Sequence, residues 1–150
     1  MAEEDGEPRK VHILLVEDNP GDVALIRMAL RDAGLDCDLT VIDEGGEAMA
    51  FVQQRGMYKD SRTPDLAVLD LNLPKNDGLE ILAAMRGNQA FVEVPVAVLS
   101  SSSWPRDRTK LEVFRIARYI TKPPDLDEFM RIGLVLKELA LNNGSGEAPE

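Results

Sequence analysis

The sequence predicts an α/β protein, a doubly wound parallel sheet of five strands with helices on both faces. Three observations point to it. Short apolar runs alternate with helical patterns five times between residues 11 and 141. Several of these runs are apolar at nearly every position, as strands buried on both faces are, rather than alternating with polar residues. The connections are short, so right-handed helical crossovers must join the strands in parallel.

The first strand is Val11–Val16 (VHILLV), with His12 read as a structural residue. Glu17-Asp18-Asn19-Pro20-Gly21 breaks it. From Asp22 onward, Val23, Leu25, Ile26, Met28, Ala29 and Leu30 recur at helical spacing, and Gly34 stops the helix. Asp22 is the better N-cap candidate of the preceding acids. Residues 39–42 form a second strand, leaving Cys37 in a loop or at a helix end. A helix over 47–54 ends near Gly56, and a polar loop runs from Tyr58 to Pro64. The third strand, 66–71 (LAVLDL), carries Asp70 near its tip. Asn72-Leu73-Pro74-Lys75-Asn76-Asp77-Gly78 is turn chemistry, and Leu79, Ile81, Leu82 and Met85 mark a third helix. The fourth strand, 96–99, runs into four serines, followed by a helix over 106–117. Tyr119-Ile120-Thr121 is the fifth strand. Lys122-Pro123-Pro124 and a last helix over 126–141 close the pattern.

A chain of 150 residues suffices for one well-buried core. Residues 1–10 read as a flexible leader, 11–141 as the folded domain and 142–150 as a disordered tail. The formal net charge of −10 repels phosphate backbones, so neither nucleic acid nor an anionic membrane is expected as a direct partner. The same charge favours metal cations and basic protein surfaces, or simply keeps the chain soluble. One cysteine excludes an internal disulfide and a cysteine-based zinc site. The leader lacks the apolar core of a signal peptide, and no run approaches the roughly 18–20 apolar residues that span a bilayer. The expected location is the cytoplasm.

In open parallel sheets, ligands bind beyond the carboxyl ends of the strands. Glu17 and Asp18 follow the first strand, Asp70 ends the third, Ser100 follows the fourth and Lys122 the fifth. Three carboxylates crowded on one rim raise one another's pKa and destabilise the fold unless a cation compensates. An all-oxygen site with few carboxylates suits Mg²⁺, with Mn²⁺ as a substitute. Lys122 and the Ser100 hydroxyl would then neutralise and hold the oxygens of a phosphoryl group, which is what phosphoryl transfer asks of a protein. Asp70 is the natural nucleophile, able to form an acyl phosphate.

Four segments in order, LLVEDNPGDV, LAVLDLNLPKNDGLEIL, PVAVLSSS and YITKP, carry a resemblance to the response-regulator receiver domains of two-component signalling. It covers about residues 11–141. The intervals fit as well, 30 residues from Asp70 to Ser100 and 22 from Ser100 to Lys122. The resemblance implies a flavodoxin-like (βα)5 fold with strand order 2-1-3-4-5. It implies Asp70 as phosphoacceptor, Asp18 as direct metal ligand, Glu17 acting through water, and Asn72 lending its backbone carbonyl to the metal. Ser100 resembles the switch hydroxyl, Lys122 the phosphate-pairing lysine, and Tyr119 the aromatic that turns inward on activation, although Tyr119 also reads as plain core packing. The resemblance implies a cis Lys122–Pro123 bond. EDNPGDV, the FVQQRGMYKDSRTPD segment and the stand-alone length are similar to the small regulators paired with phytochrome-type sensor histidine kinases. EDNPxD also occurs in regulators with other sensors.

Some positions depart from the family pattern. Glu17 stands where Asp is commoner, Ser100 where Thr is commoner, and Arg115 where many relatives have Gly. Trp104-Pro105 after the serines is atypical, with Trp104 read as a loop anchor or a ligand platform. On the last helix, Leu126, Phe129, Met130, Leu136, Leu139 and Ala140 form one stripe, and Ile132, Leu134, Val135 and Leu141 widen it beyond the roughly 100° that one sheet face covers. The surplus is expected to serve a homodimer. The expected partners are a sensor histidine kinase and a downstream protein or phosphotransfer partner, in a phosphoacceptor switch rather than an enzyme. Two other functions are weighed. A small-molecule phosphatase would need an acid where Asn72 stands and a cap domain to hold substrate. A degenerate, unphosphorylated receiver is disfavoured by the intact acid, serine and lysine set.

Overall fold

The computed structural model describes residues 10–71, 77–101 and 111–142. Its strands are β1 (Val11–Val16), β2 (Cys37–Ile42), β3 (Leu66–Asp70), β4 (Val96–Ser100) and β5 (Arg118–Thr121). All pair in parallel, in the order β2-β1-β3-β4-β5. The described helices are α1 (Pro20–Asp32), α2 (Gly45–Val52), α3 (Asp77–Arg86) and α4 (Leu126–Asn142), with a 3₁₀ turn at Gly56–Tyr58. The expected α/β doubly wound sheet is the one observed.

The two-residue period of the strands sorts their side chains between two cores. Ile13 and Leu15 of β1 join Val68, Leu99, Ile26, Phe129 and Leu136 beneath α1 and α4. Leu14 and Val16 join Leu69, Val98, Phe51 and Leu82 beneath α2 and α3. β3 and β4 are buried along their whole lengths, which explains why they read as unbroken apolar runs.

Element boundaries differ where capping chemistry decides them. α1 begins at Pro20, and the side chain of Asn19, not Asp22, caps it by accepting from the Gly21 and Asp22 amides at 2.8 and 3.1 Å. Proline suits the first turn because it lacks an N–H that would go unpaired there. Cys37 is the first residue of β2 rather than a loop or helix-end residue. The helix expected over 106–117 lies partly outside the described residues, and its end comes earlier than expected. Leu111 and Glu112 are helical, Val113 and Phe114 turn, and Arg115 has φ 56°. That left-handed conformation ends a helix and is most comfortable for glycine.

The backbone around Arg115 is held from outside. The Arg86 guanidinium donates to the Phe114, Val94 and Val92 carbonyls at 2.7, 2.9 and 3.1 Å. One side chain thereby ties the end of α3 to the segments that enter β4 and β5. Among the described residues no peptide bond is cis, so Lys122–Pro123 is trans, against the expectation. Trans is the default for X–Pro bonds, by about 0.5–1 kcal/mol.

On α4, Ile132 does not widen the apolar stripe but packs in the core, while Leu126 faces solvent together with Leu134 and Leu141. The crossing of α4 over α1, rather than hydrophobicity alone, decides which residues face inward. No helix among the described residues is long and apolar enough to cross a membrane.

Candidate functional site

The carboxyl ends of β1, β3, β4 and β5 bring together Glu17, Asp18, Asp70, Ser100 and Lys122, as the sequence pattern requires. Val16 pairs with Leu69 and Asp70 with Leu99, so Glu17 follows β1 at the level of Asp70. Main-chain bonds extend the ladders just beyond the strands: Glu17 N to Ile42 O at 3.0 Å, Leu71 N to Leu99 O at 2.9 Å and Lys122 N to Ser100 O at 2.8 Å. These bonds fix the Cα positions of the rim residues on rigid sheet rather than on free loop.

Glu17, Asp70 and Ser100 are buried, and Asp18 is exposed beside them. One oxygen from each of Glu17, Asp18 and Asp70 can be chosen so that the three lie within 4.8 Å of one another, a group able to hold a metal ion. The Glu17 side chain is gripped from two directions. Its Oε2 accepts from the Asn19 amide at 3.1 Å, and its Oε1 accepts from the Lys122 ammonium at 3.0 Å. Lys122 also donates to Asp22 Oδ2 at 2.8 Å and to Asp70 Oδ2 at 3.3 Å.

The electrostatics of the cluster favour added positive charge. Burial foremost, then the adjoining Asp70 carboxylate, raises the Glu17 carboxyl to about 7, with Lys122 only partly offsetting them. For Lys122, burial works to lower its pKa, but the bonds to Asp22 and Glu17 and the charge of Asp70 outweigh it and hold the ammonium above its ordinary value. Glu17, Asp22 and Asp70 thus share one ammonium, with the Asp18 carboxylate close by. The donor set is all oxygen and strongly anionic, which fits a hard divalent cation.

Asn72 and Trp104 lie outside the described residues. Tyr119, on β5, is half-buried and packs against the core beneath α2 and α3. Asp22 was missed as a site residue. Its signal in the sequence was its position four residues after Asp18, in the first turn of the helix that follows the acidic pair.

A family model described as the response regulator receiver domain matches residues 13–132. The chain belongs to that family. This receiver is 38% identical to the response regulator Rcp1 of Synechocystis sp. over 132 residues, 88% of each chain. It is similar to the crystal structure of the phosphorylated cyanobacterial phytochrome response regulator RcpA, with TM-score 0.82 and 35% identity, covering 95% of this chain and 100% of that one. It is similar as well to the Mn²⁺-bound form of Rcp1, with TM-score 0.79 and 34% identity, covering 93% and 99%. The observed strand order is that of the flavodoxin-like receiver fold, and the receiver is a signalling switch of two-component systems whose family works with sensor histidine kinases.

Proposed function

We propose that the receiver accepts a phosphoryl group from the phosphohistidine of a sensor histidine kinase onto Asp70, with Mg²⁺ held by Glu17, Asp18, Asp70 and the Asn72 backbone carbonyl. One observation carries this reading: a buried carboxylate at a sheet tip lies 3.3 Å from a partly buried ammonium and within metal-sharing distance of two further acids. Similarity to phytochrome response regulators supports a phytochrome-type kinase as the donor.

The Asp70 carboxylate attacks phosphorus, a new O–P bond forms, and the P–N bond to histidine breaks with its electrons returning to the imidazole. When bound, Mg²⁺ supplies charge neutralisation for the phosphoryl oxygens. Lys122 pairs with one of those oxygens and the Ser100 hydroxyl donates to another, which draws the segment after β4 toward the phosphoryl group. Tyr119 turns inward, and the surface next to β5 and α4 changes its preference for partners. The switch assists its own phosphorylation and dephosphorylation but turns over no separate substrate. Output passes to a downstream protein or phosphotransfer partner.

The apolar residues left exposed on α4 support a homodimer through that helix. We assign residues 11–141 to the working domain, with 1–10 and 142–150 as leader and tail, and the cytoplasm as its location.

The reading is tested by intact-mass analysis after incubation with acetyl phosphate. A single phosphoryl adduct is expected, dependent on Mg²⁺ and lost in Asp70→Asn. Turnover of varied phosphomonoesters, or an adduct indifferent to the metal, would contradict it.

A further inference from the structure

We infer that Asp22 is a positioning residue that competes with the phosphoryl group for Lys122 and thereby limits how readily Asp70 is phosphorylated. The inference rests on the phosphoacceptor role of Asp70 given above. An ammonium has three N–H groups, and those of Lys122 meet three carboxylates: Asp22, Glu17 and Asp70. The Asp22 bond is the shortest of the three, and Asp22 is the most exposed acceptor, 23% against 0 and 2% for Glu17 and Asp70.

Asp22 has no competing employment among the described residues. It does not cap α1, because Asn19 does. It is not one of the three acids whose oxygens lie close enough together to share a metal ion. Its carboxylate therefore stays with Lys122 when a cation draws Glu17 and Asp70 away. A phosphoryl oxygen arriving at Asp70 must win an N–H from an ammonium already committed at 2.8 Å. It must also approach a second negative charge a few ångströms from its own. Both effects act in the same direction.

The two can be separated by substitution. Asp22→Asn keeps an oxygen that accepts from Lys122 but removes the charge. Asp22→Ala removes both. In the test reaction, Asp70 Oδ attacks the phosphorus of acetyl phosphate, an O–P bond forms, and acetate leaves with the electrons of the broken P–O bond. Rates are read by intact mass at saturating Mg²⁺, and Mg²⁺ affinity is read separately by calorimetry without a phosphodonor.

Asp22→Asn is expected to be phosphorylated about three- to tenfold faster than the unsubstituted protein, with Asp22→Ala at least as fast as Asp22→Asn. Mg²⁺ affinity is expected to fall about two- to fivefold in both, because one anionic neighbour is gone. A merely structural role would slow phosphorylation as it weakens the metal site, so the opposite signs are the signature of competition. Labelling of Asp22→Asn at or below the original rate overturns the inference alone. An unsubstituted protein that takes no phosphoryl group at all overturns this inference together with the phosphoacceptor reading.

Discussion

Gly133 of α4 lies against the Ala29 carbonyl of α1 so closely that a β-carbon at position 133 would overlap it. The helices meet backbone to backbone at this point. Phe129, Ile132, Leu136 and Ala140 pack around it, sharing one core with Ile26 and Leu30 of α1.

Gly133→Ala is therefore expected to destabilise the fold, even though alanine is the better helix former by about 1 kcal/mol. Overpacking against rigid main chain should cost about 2–3 kcal/mol net. Urea denaturation at neutral pH checks it. A variant as stable as the parent would mean that α1 and α4 can separate at little cost.

His12 provides a pH dependence away from the acidic rim. It is buried on β1, with Nε2 2.9 Å from Thr40 Oγ1 and its ring edge-on to Phe51. Nδ1 has no hydrogen-bond partner among the described residues, although the Thr63 main chain lies near enough to favour a proton slightly. Burial foremost, then the positive charge of Arg62, lowers its pKa below the ordinary 6.5, against the opposing pull of Asp38 and Asp65.

The folded protein thus prefers neutral His12, and the unfolded chain binds the proton more readily. Stability from this group is present above about pH 6.5 and is lost as pH falls through the lower folded value. His12→Leu is expected to flatten the stability profile on the acid side of pH 6.5, whatever it does to absolute stability. An unchanged slope in chemical denaturation at a series of pH values would remove His12 as the cause.

The exposed side chains of α4 bear on assembly. Leu126, Leu134 and Leu141 are each about half exposed. They recur at positions that share one side of a helix, away from the buried stripe. With the homodimer read onto this helix, sedimentation at tens of micromolar should give a dimer, and Leu134→Asp a monomer of unchanged secondary structure. A parent protein that sediments as a monomer both before and after phosphorylation contradicts that interface.

Much of this was legible in the sequence because the information was local. β3 and β4 are covered on both faces, so their apolar runs were unmistakable, and the acid, serine and lysine positions followed from where those runs end. What escaped was set by contacts distant in sequence or by one backbone angle. Asn19 and Asp22 are both good caps, and only the reach of Lys122, 100 residues away, diverts Asp22 to the rim. Arg115 sits in a glycine-like conformation, with Arg86 holding the carbonyl just before it. Ile132 and Leu126 are equally apolar, and the helix crossing alone sends one inward and the other to solvent.

The most direct test of the account is to locate the phosphoryl group. After acetyl phosphate and Mg²⁺ treatment, borohydride reduces a phosphorylated aspartate to homoserine, which peptide mass spectrometry then places in the chain. The account predicts a single reduced position, Asp70, absent when the metal is chelated. Reduction at Asp18, Asp22 or any other carboxylate instead would contradict it.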